Sequence, residues 1–349
     1  MSQPQSARGR VDVSDLLAPS HHGTSANSDV VDTWAGKVTR LKALHPWAKA
    51  FLVVAMLEIL IVVALTIQRM AIISYPFTDD SRADMTYAVV LLINAVFSCY
   101  YAVHGCLRER KTEVAAFVVA SLTVTIYVVY QYAFNPPNTD PDYESNWHIS
   151  REIRFILICI FEPMALALAF LTQRHFGWVE YKTVGANVDY MRLHRDYSMY
   201  VTFLKFDMQI QLSLVVLSLF SRLELDAEMG IDMAAVVVVL ITMIVGWLAV
   251  QSENRSAMIF VAISSVITLA YDVYTIYKFS SSSNDASSFA RYAILAAASF
   301  AILIRLVLFF FIRRVVSNFG QGLKSMLHKR SHHQRPASEE DPLIRPSYY

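Results

Sequence analysis

Glu58, Glu162, Lys205, Asp207, Asp272 and Arg305 each interrupt a long apolar run. A charge in such a run is costly to take out of water, so it is expected to meet a partner, bind an ion or carry a proton. At about 1.5 Å per helical residue, Glu58, Asp207 and Arg305 lie roughly 10 to 13 Å in from the same end of their runs. Two readings follow. One is a polar intramembrane site open to the cytosol, lined by Glu58, Asp207 and Arg305 with Lys205 and Gln211 nearby, able to take an ion, a proton or a polar solute. The other is an Asp207–Arg305 ion pair that glues two helices. Lys205 is the shallower charge and is expected to snorkel outward. Asp272, near the far end of its run, is expected to reach interfacial water.

Spacing adds to this set. Asp207, Gln211, Leu214 and Ser218 recur at helical intervals and form one stripe. Asn94, mid-run, needs a partner. Glu162 precedes Pro163, and proline inside a helix frees a carbonyl and kinks the chain. A carboxyl at that depth is either a proton carrier or a protonated acid making one hydrogen bond.

Other chemistries lack their residues. The three cysteines, Cys99, Cys106 and Cys159, all lie in apolar runs and have no disulfide or metal spacing. No H-E-x-x-H, G-x-S-x-G or P-loop pattern occurs. Only His104 among the histidines lies in an apolar run, so a transmembrane haem is not supported. The expectation is a non-enzyme with no cofactor and no metal site. A net charge of +1 gives no field for nucleic acid.

The elements that must hold these groups are membrane spans. Of 349 residues, 55% are hydrophobic and 17% charged, against about 25% charged in soluble domains. Eight runs of about twenty residues match a bilayer core: 50–73, 87–107, 114–134, 153–172, 201–220, 233–250, 257–277 and 290–312. In lipid such runs are expected to be helical. Of the 30 Lys and Arg, 21 fall in the two ends and the alternate loops on the same side, and 7 in the opposite loops. This split puts both termini in the cytosol. The fold class is therefore an all-α polytopic membrane protein, an eight-transmembrane-helix bundle. A disordered tail over 1–46 precedes helices 1–4 in 47–172, a cytosolic linker and helix extension in 173–199, helices 5–8 in 200–316, and a basic then acidic tail in 317–349. No cleavable signal peptide is read at the start. The Asn254-Arg255-Ser256 triplet falls in a short cytosolic loop and is read as chance. Similar loop lengths in the two halves hint at a duplication, without convincing residue identity.

The stretch "HFGWVEYKTVGANVDYMRLHRDYSMY" leads into "FLKFD". Asn187 suits an N-cap, and Tyr190, Leu193, Tyr197, Val201 and Leu204 keep helical spacing, so a cytosolic helix runs into the fifth span. With "NFGQGLK" after the last span, "FGWVEYKTVGA" and "FLKFD" resemble a family of uncharacterised fungal multi-pass membrane proteins. The resemblance covers roughly 176–220 and 318–324. It implies architecture and a shared pattern that includes Lys205 and Asp207, and it implies no activity.

Both tails carry a sorting-like pattern. "EEDPLI" sets Glu339 before Leu343-Ile344, and "DVSDLL" sets Asp12 before Leu16-Leu17. These forms are similar to acidic dileucine signals read by clathrin adaptors on unfolded cytosolic chain. The expectation is a transporter or channel-like protein of an endolysosomal or vacuolar membrane. The alternative is a receptor or scaffold that binds partners through its tails and central loop.

Overall fold

The computed structural model describes residues 30–33, 36–39, 41, 44–72, 79–134, 141–184, 188–220, 227–281 and 288–320. The sorting-like residues Asp12, Leu16, Leu17, Glu339, Leu343 and Ile344, and the cap residue Asn187, lie outside this set.

Among the described residues eight helices dominate: α1 (Pro46–Ile72), α2 (Asp79–Leu107), α3 (Lys111–Phe134), α4 (Pro141–Val184), α5 (Val188–Phe220), α6 (Ala227–Ser252), α7 (Arg255–Ser281) and α8 (Ser288–Ser317). Before them, within the segment read as a tail, β1 (Val30–Thr33) pairs antiparallel with β2 (Gly36–Thr39) in a small hairpin. Among the described residues, seven helices are long and apolar enough to cross a membrane, all but α3. The α3 helix has 24 residues, about 36 Å of helix. The α4 helix runs on to Val184 and α5 starts at Val188, so most of the segment read as a linker is helical.

The helices form two four-membered rings. In the first, α1 touches α2 and α4, and α3 touches the same two. In the second, α5 touches α6 and α8, and α7 touches the same two. The rings meet where α5 packs on α2 and α3. Small residues allow close approach of backbones: Ala48, Ala55, Ala165 and Ala169 are buried in the first ring. The outward faces carry Ile, Leu, Val and Phe side chains, as a lipid-facing surface requires.

The turns that join α2 to α3 and α6 to α7 are alike. Arg110 N–H bonds to Gly105 O and Glu109 N–H to Cys106 O; Asn254 N–H bonds to Ala249 O and Glu253 N–H to Val250 O. Each turn is thus a Schellman motif. The left-handed residue is Glu109 in one (φ 53°) and Glu253 in the other (φ 52°). Aligned on these glutamates, "ERKT" faces "ENRS". Only the glutamate is identical, so what the two halves share here is the geometry of the turn. Asn254 caps α7, its side-chain oxygen accepting from the N–H groups of Ser256 and Ala257 at 3.0 and 3.3 Å.

Candidate functional site

Helix α5 is the hub. It carries polar residues on two faces because side chains two positions apart point about 200° apart. One face turns to the first ring. Thr112 Oγ1 and Ser198 Oγ lie 2.8 Å apart, and Thr202 Oγ1 donates to Thr112 at 3.2 Å. Deeper in, Gln209 donates to Asn94 Oδ1 at 2.7 Å, and Asn94 Nδ2 donates to Val90 O at 2.8 Å and Ser213 Oγ at 3.4 Å. Asn94 therefore finds the partners its position demanded.

Lys205 stands between these levels, and the structure overturns the expectation that it snorkels. Its ammonium is drawn inward, donating to Glu113 Oε1 at 3.0 Å and to Tyr100 O–H at 2.6 Å. Glu113 is fully buried and also meets His104 Nδ1, with Arg110 Nη1 at 3.5 Å. A buried carboxylate needs these cations, and Lys205 is the one that α5 supplies. Sequence reasoning missed Glu113 because it sits one residue before the third apolar run. Its spacing from Arg110 (i, i+3) was the available signal.

The second face of α5 turns into its own ring. At one end, Asp196 Oδ2 accepts from Arg314 Nε at 2.7 Å and Asn318 Nδ2 at 3.2 Å. Next, Tyr200 is fully buried, with its hydroxyl 3.9 Å from Met258 Sδ. Then Asp207 Oδ1 meets Arg305 Nη2 at 2.9 Å, and Arg305 Nη1 donates to Thr268 Oγ1. Gln211 Nε2 lies 2.9 Å from both carboxylate oxygens of Asp272. Last, Ser218 donates to Asp232 Oδ2 at 2.8 Å, and Tyr271 O–H donates to Asp232 Oδ1 at 2.7 Å. Asp196 to Ser218 spans about 33 Å along the axis, a bilayer's depth.

Asp272 needs a correction. It is fully buried rather than at interfacial water, because α7 continues to Ser281 and keeps the carboxylate inside the ring. Gln211 reaches it from α5 on the stripe that the sequence marked.

Glu58 is not beside Asp207. It lies in the first ring against Glu162, close enough for the carboxyls to interact. Ser121 Oγ donates to Glu162 Oε1 at 3.0 Å. A cavity of about 30 Å³ opens here, lined by Glu58, Asn94, Ser98, Ser121 and Thr125 among others. The five residues marked as one polar site thus divide among three places: Glu58 in the first ring, Lys205 at the junction, and Asp207, Gln211 and Arg305 in the second ring. Position along each apolar run was readable from sequence; which ring a helix joins was not. Among the described residues, no group of three or more His, Cys, Asp or Glu could hold a metal ion.

Fold and site define a multi-pass helical membrane protein with ionisable groups sealed in its interior. The chain belongs to the family described as domain of unknown function DUF7789, which matches residues 35–174 and 184–313. The matched segments correspond closely to the two helix rings. No curated protein and no solved structure matches the chain.

Proposed function

We propose that the protein is a transporter or channel-like protein of an endolysosomal or vacuolar membrane. It crosses the bilayer eight times, with both termini cytosolic. The observation that carries this reading is the polar face of α5, from Asp196 through Asp207 and Gln211 to Ser218, with partners at each level on α6, α7 or α8. Hydrogen bonds inside a bilayer contribute only about 0.6 kcal/mol each, so gluing helices is a weak reason to bury so many polar groups. A series of carboxyl, guanidinium, amide and hydroxyl groups across the bilayer suits passage of a proton, an ion or a small polar solute.

The second reading, a non-transporting receptor or scaffold, is favoured by the closed Asp207–Arg305 pair, whose side chains are only 5% and 1% exposed. One variant separates the two. Replacing a buried ion pair by apolar residues is often neutral or stabilising. Asp207→Leu with Arg305→Leu should therefore fold. Dye-reported proton or ion flux into proteoliposomes should be present with the wild-type protein and lost in the double variant. A folded double variant with undiminished flux would show that the pair is glue, and absence of flux in both would favour the scaffold. Location is tested by imaging a tagged chain beside one with Leu16, Leu17, Leu343 and Ile344 changed to alanine. The proposal expects the parent on the endolysosome or vacuole and the variant at the cell surface. Identical distributions would remove the sorting role.

A further inference from the structure

Corresponding helices of the two rings bring comparable groups together, with one difference in charge. In the second ring α5 supplies an acid (Asp207), α7 a hydroxyl (Thr268) and α8 a cation (Arg305). In the first ring α1 supplies an acid (Glu58) and α3 a hydroxyl (Ser121), but α4 supplies a second acid, Glu162. The cation that balances the acid in one ring is replaced by another carboxyl in the other.

Two carboxylates in contact inside a low-dielectric bundle repel strongly and do not both stay ionised. Their surroundings offer little relief. Glu58 is 8% exposed and Glu162 4%. Ser121 satisfies one oxygen of Glu162, while Oε2 of Glu58 and Oε2 of Glu162 are each buried without a hydrogen-bond partner. From α2, Asn94 and Ser98 face the cavity, and from α3, Ser121 and Thr125; none is charged. On α4, Arg154 is the charged group nearest in view: it lines a smaller cavity together with Glu58 and stands about 12 Å along the axis from Glu162. The main cavity, about 30 Å³, has room for about two waters, at roughly 10–15 Å³ of such volume for each.

We propose that Glu58 and Glu162 form a proton-binding dyad, sharing one proton that exchanges with water in the adjoining cavity. The proton passes from hydronium to a carboxylate oxygen and back, and no other reactant takes part. A proton held between the carboxyls supplies a donor that neither ionised acid has. The dyad lies in the first ring and does not depend on conduction along α5.

Dicyclohexylcarbodiimide tests this, since it is apolar and adds to carboxylic acids rather than carboxylates. The purified full chain is treated across a pH series, digested and mapped by mass spectrometry. The dyad predicts at most one label per chain, on Glu58 or Glu162, that is lost as pH rises. In Glu58→Gln the like charge is gone, so labelling of Glu162 should vanish at a lower pH than in the wild type. Absence of label on both acids at every pH would mean that both are ionised, held by Arg154 or another cation, and would overturn the dyad. An unshifted pH profile in the variant would overturn it too, because the acids would be independent. Should the variant fail to elute as a monodisperse species, the wild-type profile decides: a single pH-sensitive label on the pair supports the dyad, and two labels per chain contradict it. A flux failure in the second ring leaves this result untouched.

Discussion

Asp207 and Lys205 are two residues apart and serve different rings. Asp207 turns into the second ring to meet Arg305 at 2.9 Å, and Lys205 turns to the first to meet Glu113 at 3.0 Å. The pentapeptide "FLKFD" is therefore a rivet: Phe203 stacks on Phe311 and Phe206 meets Tyr101 and Phe300, while the two charges lock opposite sides. Removing one member of a buried pair leaves the other charge uncompensated, at a cost of about 3–5 kcal/mol. Asp207→Leu alone should therefore lower the midpoint of thermal unfolding in detergent far more than the double Asp207→Leu, Arg305→Leu change. A single variant as stable as the wild type would mean that the pair contributes nothing. Lys205→Met should likewise destabilise by leaving Glu113 with only His104 and Arg110, and Lys205→Met with Glu113→Gln should recover most of the loss. At this scale the sequence marked the charges and their positions along the apolar runs. It misjudged Lys205 and Asp272 because snorkelling and interfacial exposure were inferred from distance to a run's end, whereas helix rotation decides which way a side chain faces.

The helices themselves follow from apolar length, and all eight runs lie on separate helices. What the sequence understated was the reach of α4, 44 residues long despite Pro163 in its interior. The hairpins between helices carry their own strain. Glu109 and Glu253 adopt left-handed backbone that costs an L-residue about 1–2 kcal/mol and glycine almost nothing. Glu109→Gly should therefore gain about 0.5 kcal/mol net of glycine's greater unfolded freedom. Burial also raises the Glu109 carboxyl above its usual range. An acid whose folded value is raised binds its proton more tightly when folded, so ionisation opposes folding as pH rises. The gain from Glu109→Gly should accordingly be larger at pH 8 than at pH 4 in paired melting curves. An equal gain at both would rule out the ionisation part. Close approach limits α5 against α6: a Cβ at Gly246 would lie 2.8 Å from Tyr200 Oη and 2.9 Å from Leu204 Cδ2. Both side chains are buried, so Gly246→Leu should destabilise by about 1–3 kcal/mol and Gly246→Ala by less.

The whole molecule is two rings riveted through α5. Neither the pairing of helices nor the division of the polar residues between rings was legible in the sequence, because closure depends on contacts between helices far apart in the chain. The loop lengths and the turn glutamates were the traces of it. Each ring closes on its own, so a chain cut between α4 and α5 should still assemble. The two halves, expressed together with a tag on one only, are expected to co-purify through the Lys205–Glu113 and Gln209–Asn94 contacts. Recovery of the tagged half alone would contradict the shared junction.

The central claim is that the second-ring face of α5 is a path and not a dry seam. The most direct measurement is cysteine accessibility in proteoliposomes, in a chain whose Cys99, Cys106 and Cys159 are first replaced by alanine. Asp207→Cys, Gln211→Cys and Ser218→Cys are exposed one at a time to a small charged thiol reagent, with Ile263→Cys and Ile267→Cys on the lipid-facing side of α7 as controls. A path predicts reaction at 207, 211 and 218 and none at 263 or 267. Silence at all three α5 positions, with the protein folded, would contradict the account and leave the polar line as structural glue.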